Sequence, residues 1–297
     1  MGHESSAGDR RFLQRVERLR AAERRELELL CRPEGWPRWA GVAARFPLLS
    51  ARDHVMVLAQ RPGARLLLSA QQWREVGRWP RRGEEAVRLW REQRRRSRSG
   101  GRGVWALAPL FDADQTDGEP LIMMPPPAQP APGRAPRGMA AALGAAAAAT
   151  GCEVRLRPAT TGRPPQLDPS SGLITADPSG DDADHCAALL AVITGAAAAH
   201  TTVAAADREA VAAAAAAVVL AAHGQPTGTG VRPDPAWGGD HRRLCGVLTA
   251  AAGVADTITA TLAMHAVGTP AAAAGDPMPP PPRPAAMTGG HTGAAHV

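Results

Sequence analysis

Two helix-start signals in the first third of the chain predict where two helices begin. Ser50 and Asp53 stand three residues apart, and Ser69 and Gln72 repeat that spacing. In such a capping box the serine hydroxyl accepts a free amide of the first helical turn, and the side chain three residues later reaches back to the serine amide. The proline and glycine at 62–63 end the helix that begins after Ser50. The sequence therefore predicts two short helices separated by a turn.

Strand-like segments accompany these helices. Leu66–Leu68 is a short apolar run, which predicts a buried strand. Apolar and polar residues alternate from Val87 to Trp90, a pattern typical of a half-buried strand. Trp73 lies in the second helix, where core packing is the first interpretation and stacking on a nucleic-acid base is the alternative. Together these elements predict an α+β fold, with a small mixed helix-and-strand domain first and a mainly helical domain after it.

Charge and tryptophan are concentrated in the first half. Residues 1–110 hold 24 arginines against 12 acidic residues, a net charge of +12, while the remaining residues carry a net charge of −6. Six of the seven tryptophans also lie in this half. Such asymmetry indicates a polyanionic partner. Arginine mixed with exposed aromatic rings suits a single-stranded nucleic acid, whose phosphates need cations and whose bases need flat partners.

A basic turn carries the most specific candidates for that contact. Arg78, Arg81 and Arg82 surround Trp79 in the sequence RWPRRG. The arginines are candidate phosphate contacts, and the tryptophan is a candidate base-stacking residue. The alternative is a solvated turn whose charge the two following glutamates partly neutralise.

A run of arginine and glycine provides a second basic segment. Residues 91–103 read REQRRRSRSGGRG and include Arg94, Arg95 and Arg96. Runs of this kind are usually solvated loops, and they also bind single strands electrostatically. Both interpretations remain open for this segment.

Several motifs in this half share their order and spacing with one known family. The matching residues are Ser50, Arg52, Gln60, Pro62, Ala64, Trp73, Gly77, Arg78, Gly83 and Glu84, followed by Phe111, Asp112, Gln115, Thr116, Gly118, Pro120 and Leu121. On these residues the chain resembles the N-terminal single-stranded-DNA-binding domain of ArdC-like antirestriction proteins. Asp53 stands where that family has an asparagine. The resemblance implies sequence-tolerant binding of single-stranded DNA and protection of incoming plasmid or mobile-element DNA. The candidate DNA-binding residues are Arg52, Trp73, Arg78, Trp79, Arg81, Arg82, Arg94, Arg95 and Arg96.

The second half resembles the metallopeptidase-like domain of the same family, without its metal ligands. When His200 anchors the comparison, the family's H-E-x-x-H positions fall on Val192, Ile193, Thr194, Gly195 and Ala196. Zinc hydrolysis needs histidine ligands one turn apart and a carboxylate base. The resemblance therefore implies a degenerate zincin-like domain with no catalytic residues, metal or cofactor. We expect a protein that is not an enzyme, and an active metallopeptidase is the disfavoured alternative.

Composition divides the chain into four predicted segments. These are a DNA-binding domain at 8–122, a proline-rich extended linker at 123–138, the alanine-rich second domain at 139–268 and a disordered tail at 269–297. The N-terminus is polar, and we expect no membrane span, which predicts a cytoplasmic protein. A structural or interaction remnant of the family that binds no DNA is the alternative function.

Overall fold

A computed structural model describes residues 7–93, 104–122, 130–131, 133–157, 163–177, 182–227 and 231–265. The predicted tail, Arg94–Arg96 and part of the predicted linker lie outside those ranges. Helices and strands are mixed in no repeating order, so the fold is α+β, as the sequence predicts.

The described residues of the first half form four α-helices: α1 (Ala7–Leu30), α2 (Gly35–Arg45), α3 (Ala51–Gln60) and α4 (Ala70–Glu75). Both predicted capping boxes are present. Ser50 accepts the Asp53 amide at 3.2 Å while its own amide donates to the Asp53 carboxylate at 3.3 Å. Ser69 and Gln72 make the same pair of bonds at 3.2 and 2.9 Å. The starts of α3 and α4 are therefore confirmed.

The strands of the first half are β1 (Leu67–Leu68), β2 (Arg78–Pro80), β3 (Val87–Gln93), β4 (Val104–Asp112) and β5 (Thr116–Gly118). An antiparallel sheet has the order β1-β4-β3, and β2 pairs with β5 in a separate antiparallel ribbon. The prediction of a buried strand at Leu66–Leu68 is wrong in one respect. β1 is a half-buried edge strand, because only one face of the sheet packs against the core.

The two faces of the β1-β4-β3 sheet differ in their surroundings. Val87 and Leu89 of β3 are buried in the core, and Leu110, which lies opposite Val87, packs against it. Because side chains alternate along a strand, Arg88 and Trp90 project from the other face. We call the first face the inner face and the second the outer face.

The side chain of Gln60, the last residue of α3, holds the free edge of β3. Its amide oxygen accepts the backbone N–H of Arg88 at 2.8 Å, and its amide nitrogen donates to the Arg88 carbonyl at 3.0 Å. Pro109 of β4 lies opposite Arg88 and has no N–H to offer. The proline is tolerated there because the polar backbone groups of Arg88 point away from it, towards Gln60.

The second half is mainly helical. Its helices are α5 (Met139–Ala149), α6 (Ala183–Ala199), α7 (Arg208–Ala222) and α8 (His241–Met264), and its strands are β6 (Glu153–Leu156), β7 (Gln166–Asp168) and β8 (Leu173–Ala176). The central strand β8 runs parallel to β6 and antiparallel to β7. These helices agree with the mainly helical second domain that the sequence predicts. Three-residue β7 is too short to show a pattern in the sequence.

The two halves are packed together through one hydrophobic core. α2 packs against α7, and α3 packs against α8. The ring of Trp36 on α2 lies 5.9 Å, centre to centre, from that of Trp237 in the second half, and both side chains are 1% exposed. Trp39, fully buried, lies 5.8 Å from Trp36 in an edge-to-face arrangement. The halves therefore depend on each other for the burial of their largest side chains.

The described end of the predicted linker is also packed. Ala135 is buried, and Arg134 forms a β-bridge with Asp182. The carbonyl of Gly133 accepts the Ala183 amide at 3.1 Å. This part of the chain is therefore not the extended spacer that its proline content predicts, because α6 begins against it.

Within the described residues, α8 is long and apolar enough to cross a membrane on length and composition, contrary to our expectation that no segment would be. One side of α8 lies in the hydrophobic core, with Leu244, Leu248 and Ile258 fully buried. A core helix passes the same test of length and composition.

Candidate nucleic-acid interface

The tight β2–β5 ribbon presents the most exposed of the described tryptophans in the first half. Trp79 lies opposite Asp117, and its side chain is 56% exposed. The strands approach so closely at Gly118, which has a φ of +132°, that a Cβ there would meet the Gly77 carbonyl oxygen at 2.3 Å. Gly118 is thus required for the pairing that sets Trp79 on the surface. Its exposure leaves Trp79 able to stack on a base.

Arg78 holds this ribbon together rather than reaching into solvent. Its Nε donates to the Thr116 hydroxyl at 2.9 Å, its Nη2 donates to the Thr116 carbonyl at 2.6 Å, and its Nη1 contacts the Glu119 carbonyl. A phosphate would have to displace these bonds. The prediction that Arg78 is a free phosphate contact is therefore corrected.

Arg81 and Arg82 differ in whether their charge is already paired. Arg81 donates to the Glu84 carboxylate at 2.8 Å and lies 3.4 Å from that of Asp117. Hydrogen bonds from Gln115 and then Arg81 hold the pKa of Glu84 below its ordinary value, so the carboxylate stays charged. Arg82 is exposed and has no ion pair within the described part of the chain. Of the turn's arginines, Arg82 fits a phosphate contact best.

Trp73 belongs to the core, which corrects its assignment as a DNA-binding residue. The side chain is 0% exposed, and its indole N–H donates to the Phe111 carbonyl at 2.9 Å. Neither face of the ring is open to a base. The core-packing interpretation of Trp73 is the one that the geometry favours.

The charge of Arg52 is paired within the protein. Its guanidinium donates to the two carboxylate oxygens of Glu23 on α1 at 2.7 and 3.2 Å. The neighbouring Asp53 does not face a phosphate either, because Arg91 of β3 contacts both of its oxygens at 3.0 Å. These two residues join α3 to α1 and to the sheet.

The fold leaves a set of arginines on α1 facing solvent, in a segment for which the sequence favours a packed amphipathic helix and leaves direct contact with DNA as the alternative. These residues are Arg10, Arg11, Arg15, Arg18, Arg20, Arg24 and Arg25. The first turns also expose Phe12 and Leu13, at 49% and 56%. The helical periodicity of this segment favours a packed amphipathic helix, which describes the part of α1 from Val16 onward.

In the second half, three of the five presumed peptidase positions are buried in α6, while Val192 is partly buried and Gly195 is exposed. Ile193 is fully buried, Ala196 is buried, and the Thr194 hydroxyl donates to the Leu190 carbonyl at 3.0 Å. Across the described ranges, no group of three or more His, Cys, Asp or Glu side chains is arranged to hold a metal ion.

A pocket of about 930 Å³ opens beside the C-terminal end of α6 and is lined by residues that include His200, Cys245 and Thr249. Its wall contains the buried carboxylate of Asp207, which accepts two hydrogen bonds from Arg243 at 2.7 and 2.8 Å. The hydrogen bonds from Arg243 are the first cause that holds the pKa of Asp207 below its ordinary value. Because the Asp207 carboxylate is already bound by Arg243, this pair offers no free general base.

The chain matches no family profile and no curated protein. It is similar to two solved structures of the antirestriction protein ArdC from plasmid R388. The Mn(II)-bound structure has 19% identity and a TM-score of 0.46, covering 72% of this chain and 89% of its own. The metal-free structure has 20% identity and a TM-score of 0.43, covering 75% and 92%. These structures carry the name of the family that the sequence motifs resemble. At these identities and TM-scores, neither likeness assigns a functional residue.

Proposed function

We propose that the chain binds single-stranded DNA with little sequence preference. The observation that carries this proposal is that Trp79 and Arg82, three residues apart in one turn, are both exposed, on a half of the chain with a net charge of +12. A flat ring and an uncommitted cation are the two groups that a single strand needs from a protein. The exposed arginines of α1 and the arginines at 94–96, which lie outside the described residues, add to the attraction for phosphate.

The biological role that we propose is antirestriction, the protection of incoming plasmid or mobile-element DNA in the cytoplasm. It rests on the motifs shared with ArdC-like proteins between Ser50 and Leu121. We propose no peptidase activity for the second half, because Val192, Ile193 and Ala196 offer neither a zinc ligand nor a base.

Fluorescence anisotropy of the full chain with labelled single-stranded and duplex oligonucleotides tests DNA binding. Replacing Trp79 by alanine should weaken binding by roughly 5- to 150-fold, the equivalent of about 1–3 kcal/mol for one stacked base. Arg82→Gln should reduce the slope of log affinity against log salt by about 0.7, the value for one phosphate contact on a single strand.

Arg242→Gln is the matched control, since Arg242 is an exposed arginine of the second half without an ion pair in the described part of the chain. It should leave both affinity and salt slope unchanged. Equal affinity for duplex and single strands, or Trp79→Ala and Arg82→Gln variants that both bind like the parent, would contradict the proposal.

A further inference from the structure

The outer face of the β1-β4-β3 sheet is apolar but is not part of the core. Its partly buried members are Leu68 of β1, Arg88 and Trp90 of β3, and Leu107 and Phe111 of β4. The backbone register places them in cross-strand pairs, with Trp90 opposite Leu107 and Leu68 opposite Phe111. Directly opposed side chains on one face of a sheet lie about 5 Å apart, so these groups form a continuous strip.

The inner face of the sheet, in contrast to the outer face, packs against the hydrophobic core. Leu67 and Leu110, adjacent in sequence to Leu68 and Phe111, both pack against the hydrophobic core. The apolar residues of the outer face do not belong to that core. A strip of aromatic and aliphatic side chains that lies outside this core and is only partly buried is a candidate contact surface.

The charge on this face favours an anionic partner. Arg88 makes no ion pair among the described residues, although the residue is partly buried. Burial, followed by the positive charge of Arg15, lowers the pKa of Arg88, while the carboxylate of Glu85 acts in the opposite sense. The charged form of a guanidinium that is partly desolvated and close to a second cation is stabilised when an anion approaches.

We propose that the outer face is a stacking platform for the bases of single-stranded DNA, with Trp90 under a base and Arg88 beside the backbone phosphate. This inference rests on the proposed single-strand binding and adds a second contact surface, distinct from Trp79. Sheet faces that display aromatic rings are an established means of holding splayed bases. A purely apolar protein partner would leave the charge of Arg88 buried without an anion, which the physical chemistry disfavours.

Trp90→Leu in the full chain tests the platform, because it keeps an apolar side chain and removes the aromatic ring. Affinity for a labelled oligo-dT should fall roughly 5- to 150-fold, and Trp90→Phe should recover most of the loss. Arg88→Gln should lower the salt slope by about 0.7. Leu48→Ala is the control, since it truncates a side chain that is 98% exposed in the segment between α2 and α3, outside the sheet, and it should leave affinity and salt slope unchanged.

A second measurement uses the parent chain and does not depend on any variant folding. Photo-crosslinking to an oligonucleotide that contains 5-iodouracil, followed by peptide mass spectrometry, should identify the peptide with Trp90. If the parent binds single strands but Trp90→Leu and Trp90→Phe bind equally well and crosslinks occur only at Trp79, the platform is wrong and the proposed function stands. If the parent binds no single strand, both fail. A change in the sedimentation mass of Trp90→Leu with unchanged DNA affinity would identify the face as a contact between copies and would overturn the inference.

Discussion

Replacing Trp237 by alanine should destabilise both halves of the protein together. The side chain is 1% exposed, its ring lies 5.9 Å from that of Trp36, and its indole N–H donates to Asp207 at 3.1 Å. Truncating a buried tryptophan to alanine typically costs about 3–5 kcal/mol. Arg243 still binds the Asp207 carboxylate in this variant, so we expect the free energy of unfolding to fall by about 4 kcal/mol. This is a large share of the roughly 5–15 kcal/mol by which a folded protein is stable.

Trp237→Phe separates the hydrogen bond from the packing. It keeps a ring against Trp36 and removes the donor to Asp207, which should cost about 1.5–3 kcal/mol for a hydrogen bond to a charged group. A double-mutant cycle with Trp36→Leu should give a coupling of about 0.5–1.5 kcal/mol for the aromatic pair.

Urea denaturation followed by circular dichroism measures these free energies. Hydrogen exchange of the α3 amides reports on the first half separately. The reasoning predicts that Trp237→Ala lowers protection in α3, although the mutation lies in the other half. Unchanged α3 protection and a coupling near zero would refute it, and would mean that the halves are independent domains as their composition predicts.

Three further outcomes are expected. Trp73→Phe removes the donor to the Phe111 carbonyl and should lower the unfolding free energy by about 1–3 kcal/mol in urea titrations, with the DNA affinity of the folded protein unchanged; a selective loss of DNA affinity would contradict the core assignment. Burial lowers the pKa of His54, so the unfolded chain binds the proton more readily and stability should fall as pH drops below about 6.5, by at most about 1.4 kcal/mol per pH unit. His54→Gln should remove this slope in denaturation series between pH 7.5 and 5.5, and parallel slopes for parent and variant would rule the explanation out. After dialysis against a weak chelator, elemental analysis should find no stoichiometric zinc; about one zinc per chain would show that the second half retains a metal site.

Local signals in the sequence were enough to place several elements of the first half. The capping boxes at Ser50 and Ser69 operate over three residues, so their spacing alone locates the starts of α3 and α4. The alternation from Val87 to Trp90 likewise predicts a half-buried strand, and the structure shows Val87 buried and Trp90 only partly buried.

The roles of the charged residues could not be predicted in this way, since they depend on distant partners. Arg78 binds Thr116 and Asp53 binds Arg91, each across 38 residues of sequence. No local pattern distinguishes an arginine that will meet a carbonyl or carboxylate of another strand from one that, like Arg82, forms no ion pair with any described residue. For the same reason the contact between Trp36 and Trp237 could not be predicted. Composition indicates two separate domains, whereas in the folded chain the two halves pack against each other.

The hold of Gln60 on Arg88 has a consequence for how the protein behaves at high concentration. An unprotected edge strand offers its N–H and C=O groups to any other extended chain, which is a route to domain swapping and fibre formation. At β3 the amide of Gln60 takes both backbone groups of Arg88, and the same side chain is anchored by its bond to the Met56 carbonyl at 2.9 Å. Another strand could add there only by displacing this glutamine. The sheet can thus expose an apolar face while it resists growing sideways into an aggregate.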